Sequence, residues 1–370
     1  MRELAIKFAS VWVLSSFAIS PIAANVIISP LVDVAPETDP LFVPSEKGIR
    51  VEVKDERPHR DFIGGALFGG EKGVFLGYAT PSEDDLEGYV RRAADTAVRT
   101  MGMKSGDDYL LEIVIRAFRI DMYRLSGFSP MNCMAYGILE TRLAASNGEV
   151  LRTDDVRVAF YDRTVPVNSM KEVAREALSR IYSLATWQAT VATLRAQFQP
   201  SPDALSIEAA LEHLGPEHNA IPARLTIFWL GLAGQDNEAV TRDLLAILRT
   251  SEHQRMHQAA AQALGMLEVA EARDDIVSIL AGTEGYGGWD IEDNEQVWHL
   301  LHALALLGEK DLADHIPDSL VKKKYVVEDL ITFHTTGQPP EPSAAEVEKA
   351  EKAHVKLVKK RRKISGEPSP

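Results

Sequence analysis

The hydrophobic period of the chain changes at Pro200-Ser201-Pro202. Before this point apolar residues alternate with polar ones over several segments, which is the pattern of half-buried strands. After it they recur every three or four residues, as in amphipathic helices. At 370 residues the chain is also too long for one ordinary core. We therefore expect an α+β domain over 48–198 and an all-α region over 203–334.

The first strand is predicted where Ile49, Val51 and Val53 alternate with charged residues. A glycine-rich stretch follows from Gly64 to Gly73. A phosphate-binding loop needs the pattern GxxxxGK[ST], and no Ser or Thr follows Lys72. We interpret the stretch as a flexible loop or a hairpin connection.

Three further strands follow in the same domain. Between Tyr109 and Tyr123 the alternation changes phase near Ala117, which predicts a β-bulge. The segment from Met134 to Ala144 alternates again, and Ser146-Asn147-Gly148 predicts a hairpin into a return strand.

Two capping boxes predict the helices of this domain. Thr80-Pro81-Ser82-Glu83 opens a helix that ends at Gly102, and Ser169-Met170-Lys171-Glu172 opens one that continues towards Phe198. The element order is therefore β-α-β-β-β-α. We predict an antiparallel sheet backed by two helices in two layers.

The stretch VEVKDERP at 51–58, with Ile63-Gly64 and the helix LEGYVRRAADTAVRTMGM, resembles the YajG-like family of bacterial envelope lipoproteins. The resemblance covers about Gly48 to Ala185. It implies an envelope location without an enzymatic role. The chain departs from the family because it lacks the lipidated cysteine, since Asn25 follows Ala24 and Cys133 is the sole cysteine.

The first residues resemble a secretory signal peptide. Arg2 and Lys7 precede an apolar run from Phe8 to Ile19, and Ala23-Ala24 supplies small residues for cleavage. We expect a signal peptide over 1–24, cleaved near Ala24, then a linker over 25–47 and a periplasmic location. The alternative is an uncleaved leader that anchors the protein in the inner membrane.

The segment from 236 to 267, DNEAVTRDLLAILRTSEHQRMHQAAAQALGML, resembles a HEAT-like repeat of the PBS-lyase type. Leu230-Gly231 precedes Leu264-Gly265 by 34 positions, and Ala303 follows Ala263 by 40. The resemblance implies an all-α HEAT-like solenoid over 203–334, with three to four hairpins.

The longer of the two spacings indicates an insertion, GTEGYGGWDIEDNE, from Gly282 to Glu295. Insertions project from one face of a solenoid and often enlarge its recognition surface. The insertion is therefore the candidate protein-binding loop, with candidate residues Tyr286, Trp289, Asp290, Glu292 and Asp293. The alternative is an ordinary surface loop in which Trp289 folds back onto the last hairpin.

Histidine pairs at helical spacing raise the question of a metal site. His253 and His257 lack the glutamate of the zincin pattern because Gln254 follows the first histidine, and no third ligand is evident for His299 and His302. We expect these histidines to be solvated or packed between helices. No catalytic, cofactor-binding or metal-binding residue is predicted.

The charges of the chain are unevenly distributed. Its 40 Lys and Arg against 54 Asp and Glu give a net charge of −14, which argues against nucleic acid as a partner. A charged tail over 338–370 carries a basic cluster from Lys356 to Lys363. This cluster suits peripheral contact with an acidic membrane or with the protein's own acidic face. The alternative is a solvated, partly disordered tail.

Three functions follow from these observations. The leading hypothesis is a non-catalytic exported scaffold or adaptor that binds protein partners of the bacterial cell envelope. The second is an accessory subunit of an envelope lipid or lipopolysaccharide transport system, which the envelope resemblance implies. The third is a lyase-isomerase, because some HEAT-like proteins that handle bilin pigments use such a stack catalytically.

Overall fold

A computed structural model describes residues 26–28, 45–60, 64–68, 74–81, 86–124, 131–164, 186–194, 198, 227, 231, 237–251, 254–283, 292–317, 325–339, 348 and 352. The signal peptide, the second capping box and most of the tail and linker lie outside these residues. In the tail, Glu348 and Lys352 are helical and form an ion pair one turn apart. Within the described residues, no helix combines the length and apolar character that a membrane crossing requires.

The described strands form one eight-stranded sheet. Their bounds are Val26–Ile28 (β1), Gly48–Asp55 (β2), Gly64–Phe68 (β3), Val74–Pro81 (β4), Lys104–Ser105 (β5), Tyr109–Arg124 (β6), Met131–Ala145 (β7) and Val150–Thr164 (β8). The glycine-rich stretch contributes β3 to an antiparallel hairpin with β4. Three residues of the expected linker form β1, which pairs with β4.

The sheet is mixed, so the prediction of an antiparallel sheet is wrong. Strand β6 pairs in parallel with β2 and with β3, and in antiparallel fashion with β7. The reason is a helix, Leu86–Thr100 (α1), that precedes β5 and β6 and returns the chain to the starting edge of β2. A crossover of this kind gives parallel neighbours, whereas a tight turn gives antiparallel ones.

Two local predictions about the long strands are confirmed. The register of β6 against β7 shifts between Ile115 and Ala117, which is the predicted bulge. Strands β7 and β8 pair antiparallel, and Gly148 takes a φ of +85° in the turn between them. Gly148 is suited to this left-handed position because it lacks a Cβ.

The helix predicted from the first capping box begins later than expected. Thr80 and Pro81 are the last residues of β4, where they pair with Ile27 and Ile28 of β1, so their backbone belongs to the sheet. Helix α1 begins at Leu86 and buries one apolar stripe that includes Val90, Ala94 and Val98.

The sheet carries helices on both faces. One face is buried under α1 and under the helical residues 186–194, where the Thr141 and Thr193 hydroxyls are hydrogen bonded. Side chains alternate between faces along a strand, so Tyr136 lies on the other face, where it meets Phe333. The two-layer prediction omits this second helical layer.

Helices follow one another through the second half of the described chain. Their bounds are Glu238–Thr250 (α2), Gln254–Met266 (α3), Ala272–Gly282 (α4), Glu292–Leu306 (α5) and Tyr325–Thr336 (α6), with a 3-10 turn at Leu312–His315. Helix α3 packs against both α2 and α5, and α5 packs against α4, α6 and β8. Buried residues of the sheet and the helices belong to one continuous apolar core.

Candidate functional site

The predicted binding loop is only partly described by the structure. Tyr286, Trp289 and Asp290 lie outside the described residues. Glu292 and Asp293 are the first two residues of α5, so their assignment to a loop is wrong. Acidic residues in a first helical turn are favoured by the helix dipole, which accounts for the earlier start of the helix. Glu295, at the end of the expected exposed insertion, is only 3% exposed.

A cluster of three histidines lies between α5, α6 and the sheet, and we call it the histidine cluster: His299, His302 and His334. Nδ1 of His302 and Nε2 of His334 are 2.9 Å apart, within hydrogen-bonding distance. One of these nitrogens carries a proton and donates it to the other, which accepts. Two charged imidazoles have no acceptor nitrogen, so this bond requires at least one neutral ring.

Aromatic rings enclose the histidine cluster. The ring of Trp298 lies 5.4 Å from that of His299 and 5.6 Å from that of His302. Tyr161 of β8 packs against Trp298 with tilted rings whose centroids are 5.7 Å apart, and the ring centroids of Phe333 and His334 are 5.5 Å apart. The histidine cluster is therefore built into the contact between the helices and the sheet.

The surroundings of the cluster disfavour protonation. Burial, and then the neighbouring His334 and His299, hold the pKa of His302 well below its usual range. Burial, and then the charge of Arg157 on β8, lower the pKa of His334 to about 4. Both shifts have the same physical cause, since a buried cation loses its hydration.

Helix α6 carries a further, partly buried ionisable group, Asp329, in its contact with the sheet. Asp329 lies near Arg119 and Asp121 of β6, which form an ion pair at 2.7 Å. Burial, and then repulsion from Asp121, raise the pKa of Asp329 to about 6. The layer between the helices and the sheet thus combines a carboxyl group that resists ionisation with imidazoles that resist protonation.

An open cleft, separate from the histidine cluster, lies on the sheet near the β7–β8 turn. Its volume is about 610 Å³. The residues that line it are Arg50, Asp107, Tyr109, Leu110, Glu112, Arg142, Ala144, Ala145, Ser146 and Gly148. Each arginine has an acidic neighbour: Arg50 Nε is 3.3 Å from Asp107, and Arg142 Nη1 is 4.0 Å from Glu112.

Ion pairs continue from the cleft across the exposed part of the sheet, and we call this surface the charged face. Lys54 of β2 pairs with Glu112 of β6. Arg116 at the bulge pairs with Glu56 and with Glu140, which lies 2.6 Å away. The charged face alternates in sign over three neighbouring strands.

Sequence reasoning placed His299 and His302 on one helix but missed their partner. They do not pair with each other as an i, i+3 couple, because His302 bonds across to His334, 32 positions later. His257 lies half-buried on α3, and His253 lies outside the described residues. Among the described residues, no group of three or more His, Cys, Asp or Glu is arranged to hold a metal ion. The sequence does contain a signal for this partner, because His334 directly follows Phe333 in the apolar stripe of α6.

Comparisons with known proteins identify no family. No family model and no curated protein matches the chain. The chain is similar to the crystal structure of protein XCC0632 from Xanthomonas campestris, described by the family model DUF330. The identity is 16%, the match covers 44% of this chain and 92% of that chain, and the TM-score is 0.31. A crystal structure of an uncharacterized protein is 12% identical over 42% of this chain and 97% of that chain, with a TM-score of 0.24. Neither likeness carries a conclusion here.

Proposed function

We propose that this chain is a non-catalytic, exported binding scaffold of the bacterial cell envelope, whose partners are proteins. The proposal rests on the separation of the buried histidine cluster from the open cleft. The imidazoles of the histidine cluster are enclosed between helices and sheet, whereas the open cleft is lined by no histidine. General acid–base catalysis uses titratable groups that converge on an accessible pocket, and the two carboxylates of this cleft are instead engaged in ion pairs, Asp107 with Arg50 and Glu112 with Arg142. A cleft of paired charges suits binding better.

We further propose that the described helical residues from Gly231 onwards belong to HEAT-like repeats. The support is a close contact that recurs. A Cβ on Gly231 would lie 2.7 Å from Cα of Ala263, and a Cβ on Gly265 would lie 3.0 Å from the carbonyl oxygen of Ala303. Each glycine therefore allows a close approach at an alanine of another helix, Ala263 of α3 and Ala303 of α5, and these two alanines are 40 positions apart. Stacked repeats share such contacts between neighbours.

The cleft and the charged face form the proposed binding surface. Their residues carry both signs in alternation, so a partner with a matching alternation of charges is selected over a uniformly charged polymer. Arg50 and Arg142 are half-exposed, which leaves their guanidinium groups open to carboxylates of a partner. An alternating pattern of charges favours a folded protein surface over nucleic acid or a lipid layer as the partner.

Site-specific crosslinking in living cells tests the proposal. A photoreactive amino acid at position 142 samples the cleft, one at position 289 samples the predicted loop, and one at position 242 is the control. Arg242 lies on the exposed side of α2 and does not line the cleft. We expect a reproducible protein adduct at 142 that Arg50→Glu weakens. No adduct at 142 or 289, or the same adducts at 242, would refute the proposal.

A further inference from the structure

The sheet face that carries the cleft and the charged face is covered only in part by the described helices. Helix α6 packs on it where Phe333 meets Tyr136 of β7, with ring centroids 5.3 Å apart. Two residues further along β7, Ile138 lies opposite Arg157 of β8, and from there the side chains of β8 on this face are exposed. We call this surface the open strip: Arg157, Asp155, Thr153 and Val150. It is about 20 Å long and ends at the cleft.

The C-terminal tail leaves the fold at the other end of the open strip. Helix α6 ends at Thr336, and a Cβ on Gly337 would lie 2.6 Å from a guanidinium nitrogen of Arg157. The proline-rich residues 338–343 follow, and an extended linker of this length spans about 19 Å. Beyond the linker, Glu348 and Lys352 are helical and form an ion pair. The tail is therefore tethered beside the strip, and a helix over 344–363, about 30 Å long, would cover it.

The side chains of 344–363 change character in a fixed order along one face of such a helix. Positions three and four apart share a helix face. The face that begins at Glu346 continues through small and apolar residues and ends in the basic cluster: Glu346, Ala350, Ala353, Leu357 and Lys360. Glu346 and Leu357 are about 16 Å apart along the helix axis. The order is acidic, then apolar, then basic.

The open strip and the turns beyond it present the complementary order. Arg157, at the end where the tail begins, has no ion-pair partner among the described residues. At the cleft end, Val150 is 44% exposed and lies opposite Ala144. The turns 105–108 and 146–149 follow, and a backbone hydrogen bond of 2.9 Å joins them. These turns carry three acidic residues and no basic one, so the order here is basic, then apolar, then acidic.

We propose that the tail folds back along the open strip and covers the cleft. Glu346 then lies beside Arg157, Leu357 packs on Val150, and the basic cluster meets the acidic turns. The opposite direction would bring like charges together at both ends, which is unfavourable. The tether raises the effective concentration of the tail at the cleft. The tail therefore competes with a protein partner for the cleft, a consequence that rests on the proposed function.

Crosslinking within the purified full-length chain tests the contact. A photoreactive amino acid replaces Arg142 of the cleft in one chain and Asp155 of the open strip in another, and mass spectrometry locates the linked residues. We expect position 142 to link to the tail closer to Leu357, and position 155 to link closer to Glu346. Both yields should be independent of protein concentration, because the contact lies within one chain.

Two tail variants show which face of the helix is docked. Leu357→Asp places a carboxylate in the contact and should lower the yield from position 142 at least about threefold. Val355→Asp is the matched control, since two positions on a helix lie on nearly opposite faces, and it should leave the yield unchanged. The absence of a tail link from position 142, a link to another part of the chain in its place, or equal losses in both variants overturns the proposal. The reverse order of links from 142 and 155 overturns the direction.

The same probe in living cells separates the tail contact from the proposed function. Leu357→Asp should raise the yield of the partner adduct at position 142, whereas Val355→Asp should not. An adduct that Leu357→Asp leaves unchanged overturns the competition for the cleft. A tail link in the purified chain with no partner adduct in cells refutes the proposed function and supports the tail contact. A partner adduct without a tail link refutes the tail contact alone.

Discussion

Acidification should destabilise the contact between the helices and the sheet, and the size of the effect follows from the histidine cluster. In the folded protein the pKa of His334 is about 4, against an ordinary value of 6.5. The lowered pKa means that the stability present above pH 6.5 is lost as the pH falls towards 4, because the unfolded chain binds a proton that the fold excludes. Over the whole interval the loss is about 3 kcal/mol. His302 acts in the same direction.

Asp329 acts in the opposite direction over nearly the same pH interval. Its pKa of about 6 in the fold exceeds the ordinary 3.8, so the folded state takes up a proton first. Stability from this group rises as the pH falls from 6 towards 3.8, by about 3 kcal/mol in total. The native protein should therefore show a muted response, since one gain offsets part of two losses.

Two variants separate these contributions. Asp329→Asn removes the gain, so its stability at pH 4.5, relative to pH 7.5, should fall about 2 kcal/mol further than that of the native chain. His334→Gln keeps a hydrogen-bonding side chain beside His302. Its free energy of unfolding should fall between pH 7.5 and pH 4.5 by about 2 kcal/mol less than that of the native chain. Urea unfolding followed by tryptophan fluorescence at pH 7.5, 6.5, 5.5 and 4.5 measures both differences.

His257→Gln is the control, because it removes a histidine from α3, outside the cluster. The test compares how the free energy of unfolding changes with pH in each variant, because groups that titrate equally in all variants cancel in this comparison. If Asp329→Asn and His334→Gln give pH profiles parallel to that of the native chain, these two groups do not control the contact, and the assignment of their environments is wrong.

Two further predictions test the packing. Gly231→Ala should lower the free energy of unfolding by about 1–3 kcal/mol, because the new methyl group meets the backbone of Ala263, whereas Gly282→Ala has open space and should be tolerated; thermal melts distinguish them. Arg57→Ala should cost about 3–5 kcal/mol in urea unfolding, because Asp55 pairs with it at 2.8 Å and both residues are 5% exposed. Arg242→Ala, which removes an exposed arginine, should cost less than about 1 kcal/mol, and equal losses for the two arginine variants would contradict the buried-pair argument.

The parts of the fold that sequence reasoning predicted are those that local patterns determine. The strand around Val51 follows from alternation, the bulge near Ala117 from a phase change, and the turn at Gly148 from residues that tolerate a positive φ. Strand direction is different. Whether β2 runs parallel to β6 depends on the path of the chain through β3, β4 and α1, and no short pattern records that path.

The same distinction applies to the candidate site. The spacing of His299 and His302 is visible on one helix, but the bond to His334 forms only after α5 and α6 pack side by side on the sheet. The start of α5 was misjudged for a related reason. Val297 and Trp298 are completely buried, and Trp298 contacts Tyr161 of β8. This tertiary burial extends helical order into a segment whose glycines suggested a loop.

The composition of the contact itself suggests what the histidine pair contributes. Tyr136 against Phe333 and Tyr161 against Trp298 bury large apolar rings, and apolar packing is weakly directional. A buried hydrogen bond has a defined geometry, and it leaves costly unsatisfied groups if the helices shift. The bond between His302 and His334 therefore fixes the position of α5 relative to α6, while the rings supply most of the stabilisation. Because two protonated imidazoles cannot form this bond, acid should release the fixed position before the rings separate. Hydrogen exchange measures this order of events. As the pH is lowered, exchange at the backbone amides of α6 should increase at a higher pH than the pH at which the whole protein unfolds.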